Sequence, residues 1–263
     1  MSFTEYTPTA TLQPFIETYW VRRIGSQTTA RRVYADGTAD LMLNTGTATV
    51  FFTPKADAAA AIPLAPGTLY LGGTMSAYGV VRGGPCMVTG IRFRPGGLFA
   101  LYQTPMKDAV DQVIEFADPA PGMLMDREEG LAERLDAYFM TLQPRGRHDF
   151  DAICQVIRRH RGRLSVEDLA KACHLSRRTL ERVFIQYTGI PAKQYTRIVR
   201  FRQVLDRLRQ THEVTWESLL RIAYDLGYYD HAHLTNEFKQ YAGILPSELS
   251  HFYKTGISGG QYF

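Results

Sequence analysis

The chain has 263 residues, of which 45% are hydrophobic and 21% charged, and this composition excludes a wholly disordered or low-complexity protein. Its length favours two ordinary domains over one large domain. No run reaches the roughly 18 consecutive apolar residues of a membrane helix, and the first residues lack the basic-then-apolar pattern of a secretory signal. We therefore expect a cytoplasmic protein that makes no contact with membranes.

The net charge of +4 is unevenly distributed. Residues 1–146 contain 12 Lys and Arg against 14 Asp and Glu, whereas residues 147–263 contain 18 against 12. All seven histidines also lie in the second part. The second part has the charge expected of a protein that binds a polyanion. The first part, without histidine, excludes His-ligated metal sites and Ser-His-Asp triads.

The three cysteines, Cys86, Cys154 and Cys173, are far apart and form no CxxC pair. This spacing favours a reducing compartment over a disulfide framework or a cysteine-rich zinc site. We expect neither a metal nor a cofactor. An alternative function is an enzyme fused to a DNA reader, such as a repair protein that accepts an alkyl group on Cys86. No neighbour in sequence would activate this thiol, and we expect a protein that is not an enzyme.

Residues 1–143 are predicted to form a β-rich domain. Short runs of β-branched and aromatic residues, separated by Gly, Pro and Asp, predict strands at 18–24, 32–34, 41–43, 49–53, 68–71 and 87–93. A short helix is expected from Pro95 to Tyr102, because proline is favoured in the first turn of a helix. The pattern indicates a barrel or a sandwich with one or more helices.

A second helix of this domain is predicted at 126–141. Its apolar residues recur at helical spacing as Leu131, Leu135, Tyr138 and Phe139. Two alternatives stay open for this stripe. It packs on a second copy of the chain, which would make it a dimerisation helix, or it packs on the chain's own sheet.

A linker is predicted at 144–149, where polar residues and helix breakers follow one another. After it, the apolar residues recur with a helical period. The fold class is therefore α+β in two domains, with a β-rich domain at 1–143, an all-α domain at 150–255 and a tail at 256–263.

The all-α domain contains two copies of one supersecondary unit. The spacing from alanine to phenylalanine is 14 positions in one copy and 15 in the other, and from phenylalanine to glycine it is five in both. The matching residues are Ala170, Phe184 and Gly189 in the first copy and Ala223, Phe238 and Gly243 in the second.

Each copy has the signals of a helix-turn-helix unit. These are a small residue where two helices cross, a turn residue that tolerates positive φ, an N-cap, and two apolar residues that face inward. In the first copy they are Ala170, His174, Ser176, Leu180 and Phe184. In the second copy they are Ala223, Gly227, Asp230, Leu234 and Phe238.

One uninterrupted helix is predicted between the copies, at 192–210. At about 1.5 Å per residue it spans roughly 28 Å, and one turn of B-DNA is about 34 Å long. A rigid helix of this length can hold two recognition helices near successive major grooves. The alternative is a generic helical bundle with a basic face.

With these motifs, residues 150–250 resemble the DNA-binding domain of AraC/XylS-type transcription regulators. The residues that carry the resemblance are Leu169-Ala170, Leu175-Ser176, Leu180, Arg182, Phe184, Gly189, Pro191, Ile222-Ala223, Leu226-Gly227-Tyr228, Asp230, His233, Phe238-Lys239, Gly243 and Pro246-Ser247. Tyr228, Leu234 and Leu249 depart from the family, which more often has Phe, Phe and Tyr. The resemblance implies a seven-helix domain with two helix-turn-helix units that controls transcription at promoters.

The same resemblance implies that residues 1–143 sense an effector or dimerise. The implied partners are double-stranded DNA, RNA polymerase, a small-molecule effector and a second copy of the chain. More loosely, residues 10–115 resemble the uncharacterised β-rich sensor domain often fused to such DNA-binding domains, through Tyr19-Trp20 and the segments 36–41 and 90–97. This second resemblance brings no effector with it.

The first turns of the second helix of a helix-turn-helix unit meet base edges. The positions that match the family are Arg178, Glu181 and Arg182 in the first copy and His231, Thr235 and Asn236 in the second. Arginine suits guanine, glutamate suits cytosine and asparagine suits adenine. As alternatives, the arginines contact phosphate or solvent, and the glutamate only orients neighbouring arginines.

Phosphate contacts are expected for Arg177, Lys193, Arg197 and Lys239, with solvated side chains as the alternative. The family's pattern places His233 at a buried structural position. His231 and His233 are two residues apart and point to different sides of a helix, so they do not predict a metal site.

A cluster of charged and aromatic residues in the β-rich domain has two interpretations. The residues are Trp20, Tyr34, Asp36, Asp40, Arg92 and Arg94. In one, an arginine binds an anionic effector in a pocket with aromatic walls. In the other, an Arg–Asp pair fastens a strand to a turn, and the aromatic side chains belong to the core.

Overall fold

The computed structural model of the protein describes residues 2–25, 29–55, 57–145, 150–210 and 214–249. Residues 146–149 of the predicted linker and the predicted tail at 256–263 lie outside these ranges. Residues 250–255, at the end of the predicted all-α domain, also lie outside them.

The strands of the described residues form two sheets. In chain order they are β1 (Ser2–Tyr6), β2 (Ile16–Ile24), β3 (Thr29–Val33), β4 (Ala39–Asn44), β5 (Val50–Pro54), β6 (Ile62–Leu64), β7 (Leu69–Gly72), β8 (Gly79–Gly83), β9 (Cys86–Phe93) and β10 (Val113–Glu115). The first sheet has the order β1-β2-β9-β4-β7-β10, and the second has the order β3-β8-β5-β6. Every neighbouring pair is antiparallel.

The central strands of the first sheet, β2, β9, β4 and β7, are buried on both faces. Their successive residues point to opposite sides of the sheet, and nearly all of them are buried. Trp20 packs in the core between the two sheets. Its neighbours Tyr19 and Val21 pack on the other side, in a core shared with helices. Gly90 opposes Trp20 in the register of β2 and β9, and a Cβ at this glycine would lie 2.1 Å from the indole ring. The β-rich part is therefore a sandwich with helices on one outer face.

Three helices accompany the sandwich: α1 (Gly97–Tyr102), α2 (Ala120–Leu124) and α3 (Leu131–Phe139). The helix predicted at 126–141 is shorter in the structure, because Gly130 takes a left-handed conformation with φ of 62° at its N-cap. Leu131, Leu135 and Phe139 are buried against the first sheet. Tyr138 is half-buried and donates a hydrogen bond to the Asp118 carboxylate at 2.6 Å. Most of the predicted dimerisation stripe thus lies inside the chain's own core, where it cannot meet a second copy.

The second part of the chain is helical. It contains α4 (Phe150–Arg159), α5 (Val166–Ala172), α6 (Arg177–Thr188), α7 (Ala192–Gln210), α8 (Trp216–Asp225) and α9 (His231–Ala242), followed by a 3-10 turn (Pro246–Glu248). The family resemblance implied seven helices, and the described residues show six α-helices before this turn. The predicted α+β fold class is confirmed. No helix in the described part of the chain is long and apolar enough to cross a bilayer.

The β-rich and helical parts pack directly on each other. Tyr34 and Ala35, which follow β3, belong to the same apolar cluster as the helices. The Ala35 amide donates a hydrogen bond to the Tyr241 carbonyl in α9 at 3.2 Å. Phe99 of α1 lies 4.7 Å, between ring centres, from Tyr187 of α6. The β-rich part therefore contacts both α6 and α9.

Candidate nucleic-acid interface

The first helix-turn-helix unit consists of α5, a turn and α6. The turn contains His174 with φ of 53°, a left-handed conformation in which histidine is one of the more tolerated residues. The Ser176 hydroxyl then accepts a hydrogen bond from the Thr179 amide at 3.1 Å, which caps the start of α6. Leu180 and Phe184 are fully buried and face α5 and the rest of the helical core.

The second unit, formed by α8 and α9, repeats this geometry. Gly227 has φ of 72° in the turn, and the Asp230 carboxylate accepts from the His233 amide at 2.7 Å at the start of α9. Leu234 and Phe238 are buried. The repeat extends to the backbone: Leu175 donates to the Ala170 carbonyl, and Tyr228 donates to the Ala223 carbonyl, each at 2.9 Å. The two turns therefore have matching hydrogen bonds.

Arg178 and Arg182 are exposed near the start of α6. Within the described residues, neither guanidinium has a carboxylate within ion-pairing distance. Both therefore remain available to a base edge or a phosphate, as predicted for a reading helix.

Glu181 was predicted to contact a base, and the structure gives it another partner. It is half-buried, and its Oε2 accepts a hydrogen bond from the Ala192 amide, the first residue of α7, at 3.1 Å. A carboxylate at a helix N-terminus satisfies an otherwise unpaired amide and interacts favourably with the helix dipole. Glu181 therefore fastens α6 to α7, and this contact competes with base contact.

Arg197 was predicted to contact phosphate, but its guanidinium binds a buried carboxylate. Glu237 of α9 has a fully buried side chain and accepts from Arg197 Nε at 2.7 Å and from Arg200 Nη2 at 3.1 Å. The Tyr228 hydroxyl donates to its other oxygen at 2.7 Å. Burial raises the pKa of Tyr228, so the phenol stays protonated and remains a donor. These contacts join α7 to the second unit.

Arg177 also has a carboxylate partner, since its Nη1 lies 2.5 Å from Glu167 Oε1 at the surface. Lys193 and Lys239 are exposed, and the described residues place no carboxylate within ion-pairing distance of either. Of the four predicted phosphate contacts, these two lysines keep an unpaired charge.

The predicted reading surface of α9 is only partly exposed. Asn236 is exposed, whereas Thr235 and His231 are half-buried, and the His231 ring lies edge-on to Trp216 at 5.7 Å. The expectation that His233 is buried is wrong. It lies in the first turn of α9 on the exposed side, with its ring packed edge-on against Tyr228 at 5.3 Å.

A basic groove lies between the two units. It has a volume of about 700 Å³ and is bordered by α5, α6, α7, α9 and the loop between α4 and α5. Its basic lining residues are Arg163, Arg177, Lys193, Arg197, Arg200 and His233. Arg163 was not predicted to contact DNA, whereas Arg200 belongs to the arginines of α7 that were expected to face phosphates or solvent. Their signal was the run of cations at 158–163 and the arginine stripe of α7.

The proposed effector cluster is a closed ionic network. Arg92 is buried and binds the Asp40 carboxylate through Nε at 3.0 Å and Nη2 at 2.7 Å. Its Nη1 lies 3.1 Å from Asp36 Oδ2. Trp20 Nε1 donates to Asp40 at 3.2 Å. Arg92 therefore links β9 to β4 and to the turn before β4. This arrangement agrees with the second interpretation of the cluster, an Arg–Asp pair that fastens a strand to a turn.

The remaining residues of the proposed pocket lie elsewhere. Strand β9 ends at Phe93, and Arg94 beyond it donates to the Gln13 carbonyl at 2.5 Å. Tyr34 packs in the apolar cluster of the helical part. The two aromatic side chains and the two arginines therefore do not form one anion pocket.

The same network reaches the helical part through Asp36 and Arg202 of α7. Burial raises the pKa of Asp36 despite the nearby charge of Arg92, and burial lowers the pKa of Arg202. Their opposite charges act against these shifts, because Arg202 lowers the pKa of Asp36 and Asp36 raises the pKa of Arg202. Asp36 thus interacts electrostatically with the helix that joins the two units.

Cys86 is buried, and burial raises the pKa of its thiol. Only a thiolate is an effective nucleophile, so this environment disfavours transfer of an alkyl group to Cys86. Within the described residues, no group of three or more His, Cys, Asp or Glu side chains could hold a metal ion.

Two family matches cover separate parts of the chain. Residues 169–251 match the family described as "Helix-turn-helix domain". Residues 4–115 match the family described as "Domain of unknown function (DUF6597)". The first match begins within α5 and covers the rest of both helix-turn-helix units, and the second covers both sheets except the first residues of β1.

Two curated proteins are similar to part of the chain. An uncharacterised HTH-type transcriptional regulator of Haemophilus influenzae is 28% identical over 97 residues, which are 37% of this chain and 31% of that protein. The HTH-type transcriptional regulator ArgR of Pseudomonas aeruginosa is 31% identical over 85 residues, 32% of this chain and 25% of that protein. The chain thus spans less than a third of each curated relative.

Similar solved structures include ToxT of Vibrio cholerae at 1.65 Å resolution, with a TM-score of 0.49, 12% identity, and coverage of 99% of this chain and 100% of that one. An AraC-type DNA-binding protein of Chromobacterium violaceum has a TM-score of 0.33 and 26% identity over 36% of this chain and 83% of that one. The two family matches confirm the resemblances found in the sequence. The chain therefore combines an AraC-type helix-turn-helix domain with an N-terminal domain of the DUF6597 family.

Proposed function

We propose that the protein is a sequence-specific transcription regulator whose two helix-turn-helix units read successive major grooves of double-stranded DNA. The AraC-type domain supports regulation of transcription as the general function. The observation that carries the finer proposal is the matched geometry of the turns before α6 and α9, in two units that the 19-residue helix α7 joins in the chain.

The two units would contribute unequally to recognition. Arg178 and Arg182 give α6 two exposed donors suited to guanine. On α9, Asn236 is exposed and suited to adenine, but no cation precedes Lys239 on this helix. The first unit therefore supplies most of the base discrimination, and the second supplies weaker or more backbone-directed contact.

Residues 1–143 act as the regulatory domain, and residues 150–255 act as the DNA-binding domain. Contacts of the β-rich part with α6, α7 and α9 support this division, because a change in the first domain can reach both reading helices. The signal is a small molecule or a second copy of the chain, and RNA polymerase is the partner at the promoter. Sedimentation with and without duplex DNA measures the oligomeric state.

Selection from a random pool of DNA duplexes at about 150 mM salt tests the proposal, since this salt suppresses purely electrostatic retention. Wild type should enrich a site with two blocks about one helical turn apart. The variant Arg178→Ala/Arg182→Ala should lose one block and keep the other. As a matched control, Arg82→Ala/Arg127→Ala removes two exposed cations of the β-rich part and should select the wild-type site. Failure of folded wild type to enrich any sequence would contradict the proposal.

A further inference from the structure

The loop between α4 and α5 lies outside both helix-turn-helix units and before the matched residues 169–251. Gly162 in this loop has φ of 69°, and a Cβ there would lie 2.3 Å from the Thr196 carbonyl of α7. The loop therefore packs against the backbone of the helix that joins the two units. Its position is therefore set by a close contact with α7.

Arg163 extends from this loop towards the second unit. Its Nε would lie 3.2 Å from a Cβ at Gly227, so the side chain covers the turn between α8 and α9. The loop thus contacts α7 through Gly162 and the turn between α8 and α9 through Arg163. Arg163 also lines the basic groove between the two recognition helices.

The cations of this groove differ in how far their charge is already neutralised. Arg177 binds Glu167, and Arg197 and Arg200 share the buried Glu237. For Arg163 and Lys193, the described residues provide no carboxylate within ion-pairing distance. Arg163 and Lys193 therefore carry positive charge that no carboxylate of the described residues compensates, and the single carboxylate of Glu237 compensates only one of its two arginines.

The groove is bordered by the first residue of α6, Arg177, and by the third residue of α9, His233. These first turns face DNA in a helix-turn-helix complex. When both recognition helices occupy successive major grooves, a sugar-phosphate strand must cross the space between them. A groove with unpaired cations at that place is complementary to phosphate, which carries a fixed negative charge.

We propose that Arg163 and Lys193 hold the DNA backbone that crosses between the two blocks, so that the α4–α5 loop is a third DNA contact besides the two reading helices. This contact is independent of sequence, because it meets phosphates and no base edges. The inference rests on the proposed function, since it requires duplex DNA across both units.

The experiment measures the affinity of the full-length chain for a random-sequence duplex and for the selected duplex over a range of salt concentrations. Each phosphate contact adds about 0.9 to the slope of log K against log salt. Arg163→Gln and Lys193→Gln should each reduce that slope by about 1 and weaken both duplexes to the same extent. Arg82→Gln, which removes an exposed cation of β8, should leave slope and affinity unchanged.

A second measurement locates the contact on the DNA. Uncharged methylphosphonates replace the phosphates between the two blocks of the selected duplex, one at a time. At one or more positions the replacement should weaken wild type and leave the double variant Arg163→Gln/Lys193→Gln unaffected. Thermal unfolding of each variant should match wild type.

The outcomes separate the two proposals. Unchanged salt slopes in folded variants of a chain that binds DNA would overturn the backbone contact and leave the proposed function standing. Loss of affinity for the selected duplex alone would assign these residues to base recognition and would also overturn it. Absence of duplex binding by folded wild type would overturn both.

Discussion

Tyr195 of α7 lies directly over Gly37 in the segment between β3 and β4. A Cβ at Gly37 would be 2.9 Å from Cε2 of the tyrosine ring, and the ring is buried and cannot easily move away. The glycine also has φ of 71°, a conformation that side chains rarely adopt. The β-rich domain and the helix between the two reading units therefore meet at a position where only glycine fits.

We expect Gly37→Ala to lower the free energy of unfolding more than Gly67→Ala does. Both glycines have positive φ, but a Cβ at Gly67 would meet no atom within 4 Å. Backbone strain alone costs about 1–2 kcal/mol at either position, and crowding of Tyr195 adds about 1–3 kcal/mol at Gly37. Chemical denaturation of the two variants measures the difference. Equal losses of unfolding free energy would show that Tyr195 moves away from a Cβ at position 37 without an energetic cost.

Glu181 is predicted to act as a cap of α7 and not as a reader of bases. Glu181→Ala should lose about 1 kcal/mol of stability, as when other helix caps are removed. Glu181→Gln keeps an acceptor for the Ala192 amide, so it should retain more of that stability and select the same DNA site as wild type. Gln186→Ala, at an exposed position of α6, serves as the control and should stay within about 0.5 kcal/mol of wild type. An altered base preference of Glu181→Gln would assign the carboxylate to DNA.

Asp36 should make the protein less stable as the pH rises. Burial raises its pKa above the ordinary value of 3.8, so the folded chain holds a proton that the unfolded chain has released. Stability relative to Asp36→Asn should therefore fall as the pH rises from 3.8 and level off above the folded pKa. Urea denaturation at several pH values measures this. The exposed Asp108→Asn serves as the control for the loss of a carboxylate, and a rise with pH for Asp36 would mean that Arg92 outweighs burial.

Leu135→Glu should prevent stable folding. Leu135 is fully buried between α3 and the first sheet, and an unpaired carboxylate there costs about 4 kcal/mol or more. Met140→Glu, one turn further and 58% exposed, should fold normally. Circular dichroism and gel filtration distinguish the outcomes. A folded monomer of Leu135→Glu from a wild-type dimer would restore the dimerisation interpretation.

Local signals explain which features the sequence predicted well. Ser176, Asp230, His174 and Gly227 act through hydrogen bonds and dihedral angles of their own turns, so their neighbours in sequence suffice to recognise them. The strands at 18–24 and 87–93 have long β-branched and aromatic runs. By contrast, β6 and β10 have three residues each, and β8 begins and ends with glycine. Their residue patterns are therefore too short or too weak to predict a strand.

The missed features depend on partners that are distant in sequence. Glu181 accepts a hydrogen bond from the Ala192 amide, and Arg197 donates one to Glu237, forty positions away. The sequence neighbours of an arginine do not show whether a buried carboxylate on another helix will form an ion pair with it. Tyr34 likewise belongs to the core of the other domain, because the segment after β3 packs on the helices. Such assignments require the tertiary arrangement.

The buried Glu237 binds two arginines of α7 and so holds the second reading helix, α9, at a set place on the helix that joins the two units. An operator therefore has to match the protein in the spacing between its two blocks as well as in the base sequence of each block. A base change in one block affects only the helix that reads it. One inserted base pair between the blocks turns one of them by about 34° around the DNA axis, since a turn has about 10.5 base pairs. Binding would then suffer at both units together, so spacing in target promoters should vary less than either block's sequence.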